Sequence, residues 1–257
     1  MYSSVTFLVL VLCQTLVPVS QSHAPKTEAQ PNGVGLPKPA MDLTTGTWKY
    51  KETYGMSSGT EHSTFSTTTK DDGGVWTVTS HWETSAGPVT DISTLDKGTL
   101  ALRKESFKHF AKQGQPWKPV EINLDYTANK VTGTMKYESG QVKPVAVDVG
   151  GPLFADAPGW IGSLALADGY STTFRTWDFE QFDKLNQKLL QLKVVGTERV
   201  TVPAGTFDSY KVEVTSDDSR SYKQTVWIAK GSRTPVKAYT VEAVGRGSIS
   251  TTAELVP

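Results

Sequence analysis

The chain has 257 residues, enough for one large β domain or two small domains with a buried core. Its 26 Lys and Arg residues balance its 26 Asp and Glu residues, so the formal net charge is zero. This balance argues against a nucleic-acid partner, which selects a basic face, and against a polybasic patch for anionic lipid.

The first 24 residues contain no Lys, Arg, Asp or Glu and include a short apolar run. The run is shorter than the roughly 20 residues of a membrane-spanning helix, and Ser22-His23-Ala24 has the small-x-small pattern of a cleavage site. We predict a secretory signal peptide over residues 1–24, with cleavage after Ser20 as the alternative because Pro25 follows directly. The mature chain would then be periplasmic or extracellular, without a transmembrane span.

Cys13 is the only cysteine and lies within this leader. The residues around it resemble a bacterial lipobox, but Leu12 is bulkier than the small residue that lipoboxes place before the cysteine. We therefore favour an unanchored exported protein over a lipid-anchored outer-membrane form. Loss of the leader would leave no thiol, which excludes disulfide bonds, thiol catalysis and a cysteine-based metal site.

Residues 25–45 are rich in Pro, Gly and Thr, a composition that predicts a flexible linker. From Thr47 onward, apolar and polar residues alternate with the period of half-buried β-strands. The strand over residues 75–82 would pair with residues 62–69 through an Asp-Gly turn at 70–74. Further strands are predicted over 89–95, 99–107, 119–125, 130–138 and 142–149.

One segment interrupts this alternation. Gly150-Gly151-Pro152 opens it, and Asp156 is placed to cap a short helix over residues 158–166. The β pattern then resumes, with strands predicted over 170–179, 188–202, 206–216, 221–229, 234–243 and 247–255. We predict a mainly β fold with one antiparallel domain over residues 46–257 and one short helical segment near 152–166.

The stretch over residues 179–192 supports two interpretations. Helical spacing fits the apolar side chains from Phe179 to Leu192, whereas strand spacing fits Leu190, Leu192 and Val194. We favour a hairpin with its loop at residues 181–186.

The second half of the chain contains short motifs in a fixed order. The most specific is Val202-Pro203-Ala204-Gly205-Thr206-Phe207. The others are Ala167-Asp168-Gly169-Tyr170, Val195-Gly196-Thr197-Glu198, Tyr210-Lys211-Val212-Glu213, Val226-Trp227-Ile228 and Pro235-Val236-Lys237. Over residues 90–237 the chain resembles a bacterial envelope family with only an unknown-function label, which is similar in fold outline to the lipoprotein-carrier and lipoprotein-receptor proteins.

This resemblance implies a single, strongly curved antiparallel sheet, a half-barrel, with the helical segment against its concave side. In the carrier proteins that concavity holds acyl chains. The Pro203-Ala204-Gly205 element is itself typical of a tight turn, because Pro fixes φ and Gly permits the left-handed conformation. The chain lacks the amphipathic helices of the carriers, so only residues 152–166 are left to act as a lid.

Candidate chemistry is sparse. His62 and His81 could lie nearly opposite each other in the first hairpin, but zinc would need a third ligand, and we predict solvated histidines and no metal site. We predict no nucleophile elbow among the abundant serines and no Lys-containing phosphate loop. We therefore expect no catalytic residues, no cofactor and no enzymatic activity. A hydrolase would require a Ser–His pair in hydrogen-bond reach, for example at His109.

Aromatic residues are numerous for so polar a chain, and two interpretations of them stay open. They form an apolar pocket between the sheet and residues 152–166, or they simply fill the core. Trp177 and Phe174 lie on opposite faces of one predicted strand, so at most one of them lines the concavity. The predicted pocket residues are Trp76, Trp82, Trp160, Leu164, Trp177 and Trp227.

These features favour a non-enzymatic exported envelope protein that binds an apolar ligand in a curved β-sheet. The partner would be a lipid or an acylated envelope protein. The alternative is a structural or protein-interaction module with a filled core and no ligand, which meets another envelope protein through its edge strands or its surface.

Overall fold

Fourteen β-strands and one 3-10 helix make up the described part of the chain. The computed structural model describes residues 36–56, 59–84, 87–109, 119–155, 157–181, 184–216, 222–244 and 247–257. Before the helix, Pro158–Ser163, come β1 (Gly46–Met56), β2 (Gly59–Asp71), β3 (Val75–Thr84), β4 (Gly87–Asp96), β5 (Leu102–His109), β6 (Pro119–Tyr126), β7 (Lys130–Tyr137) and β8 (Val142–Asp148). After it come β9 (Ser171–Gln181), β10 (Lys184–Val202), β11 (Gly205–Ser216), β12 (Tyr222–Ala229), β13 (Pro235–Val244) and β14 (Gly247–Val256).

These strands form one antiparallel sheet, which confirms the predicted fold class. Consecutive strands are hydrogen-bonded to each other except β8 and β9, and β1 also pairs with β14. The order is therefore β8-β7-β6-β5-β4-β3-β2-β1-β14-β13-β12-β11-β10-β9, with β8 and β9 at the two edges. The predicted turn between β2 and β3 is present, because the Gly73 amide donates to Asp71 Oδ1 (3.0 Å) and Gly73 has a φ of 80°.

The ambiguous stretch after residue 179 is a β-hairpin, as the strand spacing predicted. Leu190, Leu192 and Val194 are buried on one face of β10. The loop is shorter than the predicted 181–186, since β9 continues to Gln181 and β10 begins at Lys184. The two strands are paired along their length, and Phe174 of β9 and Leu190 of β10 are buried in the core, so this stretch is a hairpin and not a helix.

The sheet is strongly curved. Trp177 of β9 donates a side-chain hydrogen bond to Tyr126 of β6. In the sheet order β6 is third and β9 fourteenth, so a flat sheet with about 4.8 Å between strands would hold them about 50 Å apart. The sheet must therefore curl until its β9 edge meets the buried face of β6, which confirms the curved shape that the resemblance implied.

Residues 149–170, here called the connecting segment, cross the concave side because they join opposite edges of the sheet. The Phe154 amide donates to the Arg175 carbonyl of β9, and the Leu102 amide of β5 donates to the Leu153 carbonyl (both 2.8 Å). The helix within the segment ends at Ser163 rather than at residue 166, and Ala157 precedes it without a side-chain cap. The predicted cap, Asp156, lies outside the described residues.

Residues 36–45 pack against the connecting segment, so the predicted flexible linker, 25–45, does not extend over them. The Ala40 amide donates to the Ser163 carbonyl (2.8 Å), and Leu43 is buried in the core. Backbone hydrogen bonds and one buried Leu hold residues 36–45 in place, although their Pro-rich composition is typical of a flexible linker. The predicted leader, 1–24, and residues 25–35 lie outside the described residues.

In the described part of the chain, most of the buried hydrophobic side chains form two clusters. The larger combines side chains from β3–β7 and β9–β12 with the connecting segment. The smaller lies around Tyr50, Val200, Val202, Ala229, Val236 and Leu255. Among the described residues, no helix has the length and apolarity needed to cross a membrane.

Candidate functional site

A cavity of about 340 Å³ lies between the middle of the sheet and the connecting segment. Strands β1–β4 and β12–β14 form its floor, and residues 155 and 157–160 form its cover. One of the two interpretations of the aromatic residues places a pocket at this position, between the sheet and the helical segment. Its polar lining includes many Thr and Ser hydroxyls, and its charged lining residues are Glu52, Asp91, Arg233 and Lys237.

A row of three aromatic rings crosses the cavity floor. Tyr50, Phe65 and Trp82 are direct cross-strand partners on β1, β2 and β3. The Tyr50 and Phe65 rings stack with centroids 4.9 Å apart, and the Phe65 and Trp82 rings stack at 5.4 Å. Such cross-strand pairs stabilise the sheet, and here they also give the cavity an apolar floor.

Trp160 supplies the aromatic side of the cover. Its indole is 2% exposed, donates to the Ala155 carbonyl (2.8 Å) and meets the Phe174 ring edge-on at 5.0 Å. Because the indole NH is satisfied within the connecting segment, the ring presents only apolar surface to the cavity. Trp160 is therefore a fixed wall and carries no free polar group toward a ligand.

Glu52 is held in a hydrogen-bonded network at one side of the cavity. Tyr54 Oη and Ser63 Oγ both donate to Glu52 Oε2, the latter at 3.1 Å, and the Trp82 side chain also donates to this carboxyl. Burial raises the pKa of Glu52, while these three donors oppose that rise. The network fixes the carboxyl group in place.

Asp91 differs from Glu52 in its partners. Its Oδ1 atom is buried and has no hydrogen-bond partner in the described part of the chain. Burial raises the pKa of Asp91 to about 7, opposed by a hydrogen bond from the Ile92 backbone. Glu105 is its diagonal neighbour on the same face, since it pairs with Ser93 while Asp91 pairs with Phe107.

Arg233 reaches the cavity from the turn between β12 and β13. Its guanidinium lies over the Tyr210 ring, with Cζ 5.1 Å from the ring centroid. Its Nη1 atom is buried, without a partner in the described part of the chain. Lys237 is also a lining residue, but its side chain leaves β13 on the opposite face from Ala238 and donates to Glu254 Oε1 (2.8 Å), so its charge is paired outside the cavity.

The structure brings together two of the six predicted pocket residues. Trp82 and Trp160 both line the cavity, one from the floor and one from the cover. Trp76 (2% exposed) and Leu164 (0% exposed) are buried in the larger hydrophobic cluster instead. These two side chains fill the core and do not border the cavity.

The remaining two predicted residues, Trp177 and Trp227, also lie away from the cavity. Trp177 packs against the larger cluster and bonds to Tyr126, at the place where the sheet curls over itself. Trp227 points to the opposite side of β12 from Val226 and Ile228. There it donates to Glu198 and has the Lys211 and Lys237 ammonium groups 5.6 and 5.8 Å from its ring centroid.

The histidines considered as a metal pair are not opposite each other. His81 faces Ser66 across β2 and β3 and bonds to Glu83 (2.8 Å), whereas His62 bonds to Thr53 of β1 (3.1 Å). With the predicted loop over residues 70–74, the two histidines would lie nearly opposite each other. In the structure β2 continues to Asp71, so the pairing of β2 with β3 is shifted and separates the two histidines. Within the described ranges, no group of three metal-ligating side chains occurs.

The stretch Gly55-Met56-Ser57-Ser58-Gly59 fits the Gly-x-Ser-x-Gly pattern of a nucleophile elbow. The expectation that the chain contains no such pattern was therefore wrong. It joins the antiparallel strands β1 and β2. A nucleophile elbow lies between a strand and a helix, so the structural context differs from that of a hydrolase. Ser57 and Ser58 lie outside the described residues.

Several lining residues were not predicted from sequence. Trp48, Tyr50 and Phe65 are aromatic and alternate with polar residues, and this period-two alternation is the pattern that could have identified them as buried strand residues. The acidic residues Glu52 and Asp91 follow the same alternation on the buried face. Period-two parity relative to Trp82 would have found them once the register of β1–β4 was known.

Several solved structures match this chain with low sequence identity and low TM-scores. The hypothetical lipoprotein YmcC from Escherichia coli is 13% identical, with 82% of this chain and 84% of that chain covered and a TM-score of 0.37. A DUF1329 family protein from Desulfovibrio piger is 9% identical, with 83% and 84% covered and a TM-score of 0.30. A Bacteroides fragilis protein described as having a YmcC-like fold is 11% identical, with 85% and 97% covered and a TM-score of 0.28.

No curated protein matches the chain at a significant level. The profile of a family described as "Protein of unknown function (DUF3108)" matches residues 49–255. That range contains β2–β13 completely and most of β1 and β14, and the predicted resemblance to a family of unknown function is confirmed. The chain belongs to the DUF3108 family.

Proposed function

We propose that this protein is a non-enzymatic component of the bacterial cell envelope that binds an apolar or amphiphilic ligand, a lipid or an acylated partner, in the cavity beneath the connecting segment. The observation that carries the proposal is the cavity itself. Its volume, about 340 Å³, is within the range of roughly 300–1,000 Å³ that is typical of ligand pockets. Its aromatic floor and cover offer the apolar surface that such a ligand would bury.

The envelope location is part of the proposal and is supported by the sequence of the leader. Residues 1–24 combine an apolar run with a small-x-small cleavage pattern. Lipids and acylated proteins are the abundant apolar molecules of the cell envelope. Their apolar chains suit the aromatic lining of the cavity.

The test is binding of N-phenyl-1-naphthylamine, an uncharged apolar dye that fluoresces in apolar surroundings, to the purified protein. We expect saturable binding, and mass spectrometry of an organic extract should detect a co-purified amphiphile. Absence of both results would refute the proposal.

Two variants tie the dye to the cavity. Ala253 lines the floor on β14, and Ala253→Phe would place a ring in the ligand space, so we expect dye affinity to fall about tenfold or more. Trp227→Ala removes an aromatic side chain outside the cavity and should leave dye affinity unchanged. Equal effects of the two substitutions would show that the dye binds elsewhere.

The alternative, a structural module with a filled interior, is favoured by the complete burial of Leu164 and the near-complete burial of Trp76 and Trp160. Ala253→Phe separates the two functions. If the cavity is only a packing defect, the added ring should raise the free energy of unfolding while no ligand is lost. If the cavity holds a ligand, binding is lost whatever happens to stability.

A further inference from the structure

One hydrogen-bond acceptor of a cavity-lining residue is left unsatisfied by the described part of the chain. Asp91 is among the lining residues, and its buried Oδ1 atom has no hydrogen-bond partner there. A buried carboxylate oxygen without a donor is costly, and buried polar groups are normally satisfied. A donor from a bound ligand would satisfy this atom.

The surroundings of Asp91 determine the charge that this ligand should carry. Glu52 lines the same cavity, and Glu105 is the diagonal neighbour of Asp91 on the same face of the sheet. Both of these carboxyl groups have donors within the protein. Tyr126 Oη donates to Glu105 at 2.6 Å, and Tyr54 and Ser63 donate to Glu52. Three carboxyl groups on one face disfavour an anionic head group and favour a cationic one.

Arg233 is the residue that could reverse this preference, because its Nη1 atom is also buried and without a partner in the described ranges. Its charge, however, is accommodated by the Tyr210 ring at 5.1 Å. The second lining cation, Lys237, is paired with Glu254. Asp91 is therefore the lining charge with the strongest need for a partner.

We propose that the cavity selects a single-chain amphiphile whose polar group is a hydrogen-bond donor, an amine or ammonium, which binds to Asp91 while the chain lies on the aromatic floor. This inference rests on the proposed function, since it assumes that the cavity holds a ligand. It adds the class of head group and the residue that recognises it.

The experiment compares three probes with the same chain, dodecylamine, dodecanol and dodecanoic acid, as competitors of N-phenyl-1-naphthylamine at pH 8. Dodecylamine should bind about tenfold more tightly than dodecanol, because its ammonium group adds the attraction between opposite charges to a hydrogen bond that the hydroxyl group can also donate to Asp91, and dodecanoic acid should bind most weakly. Asp91→Asn should remove the preference for the amine, because the neutral amide keeps an acceptor oxygen but carries no charge. Asp125→Asn, an exposed acid on β6, is the matched control and should keep the preference.

The outcomes distinguish this inference from the proposed function. If neither the dye nor any of the three probes binds, the proposed function fails and the inference fails with it. If the probes bind with equal affinity, or if dodecanoic acid binds best, the ligand site stands and recognition by Asp91 is refuted. Tighter binding of dodecanoic acid than of the other two probes would instead indicate that Arg233 recognises the head group.

Discussion

Gly162 of the connecting segment packs directly against the backbone of Arg233, so closely that a Cβ atom at position 162 would lie 1.7 Å from the Arg233 carbonyl oxygen. Gly162 is buried within the 3-10 helix. Arg233 itself has a φ of 60°, in the left-handed region that few non-glycine residues adopt. The contact fixes the cover of the cavity to the turn from which Arg233 enters it.

Gly162→Ala should therefore loosen the connecting segment. The methyl group cannot fit against the backbone carbonyl, and we expect the free energy of unfolding to fall by about 1–3 kcal/mol, as in other overpacked sites. Gly159→Ala is the control, because a Cβ at position 159 meets no atom within 4 Å. Urea denaturation of both variants checks the prediction, and equal midpoints would contradict the close contact.

Leu164→Ala should destabilise the protein through the core without changing the cavity. Leu164 is 0% exposed in the larger hydrophobic cluster and does not border the cavity. We expect a loss of about 2–5 kcal/mol in the free energy of unfolding, with unchanged dye affinity in the folded protein. Leu36→Ala, at a side chain that is 42% exposed, should change stability by less than about 0.5 kcal/mol. Reduced dye affinity in Leu164→Ala would instead place Leu164 at the ligand site.

Strand positions could be predicted because period-two alternation is a local property. Trp76, Val78 and Ser80 are buried on one face of β3 as that alternation requires. Period-two alternation did not predict the bounds of a strand correctly where the backbone departs from the extended conformation. The predicted strand start at residue 99 was wrong, since Leu100 has a φ of 65° with a fully buried side chain and β5 begins only at Leu102.

The cavity could be predicted only in part, because its floor depends on register. Tyr50, Phe65 and Trp82 form one row only with the pairings of β1, β2 and β3 that the structure has. A slip of one residue would turn a ring to the other face. The positions of Trp177 and Trp227 depend on the curl of the whole sheet and on which face of β12 is outside, and neither property is encoded in a short sequence window.

Tyr126→Phe tests how the curled sheet is held together. Tyr126 Oη donates to Glu105 Oε2 (2.6 Å) and accepts a hydrogen bond from Trp177 of the distant β9. Because a carboxylate and an indole both lose a partner, we expect the free energy of unfolding to fall by about 1.5–3 kcal/mol. Tyr239→Phe, at an exposed ring on β13, should have little effect. Equal urea midpoints for the two variants would show that the contact between β6 and β9 does not depend on this hydroxyl group.

Asp91→Asn should make the protein more stable at alkaline pH. Burial raises the pKa of the Asp91 carboxyl to about 7, above the value of about 3.9 expected in the unfolded chain. The folded state therefore binds this proton more tightly, and the resulting stability is present at low pH and is lost as the pH rises from about 4 through 7. We expect the variant to exceed the wild type by roughly 1–3 kcal/mol at pH 8 and to match it near pH 4.

The comparison of the two proteins measures the effect of the Asp91 charge in its surroundings. Glu52, whose pKa is also raised by burial, and Glu105 and Tyr126 are present in both proteins, so the two proteins differ only in the charge at position 91. Urea denaturation at pH 4, 6 and 8 gives that difference directly, and parallel pH profiles would contradict it. A carboxylate that lowers stability at the pH where it is charged fits a residue kept for binding, and Asp91→Asn should gain stability at pH 8 while losing the preference for an amine.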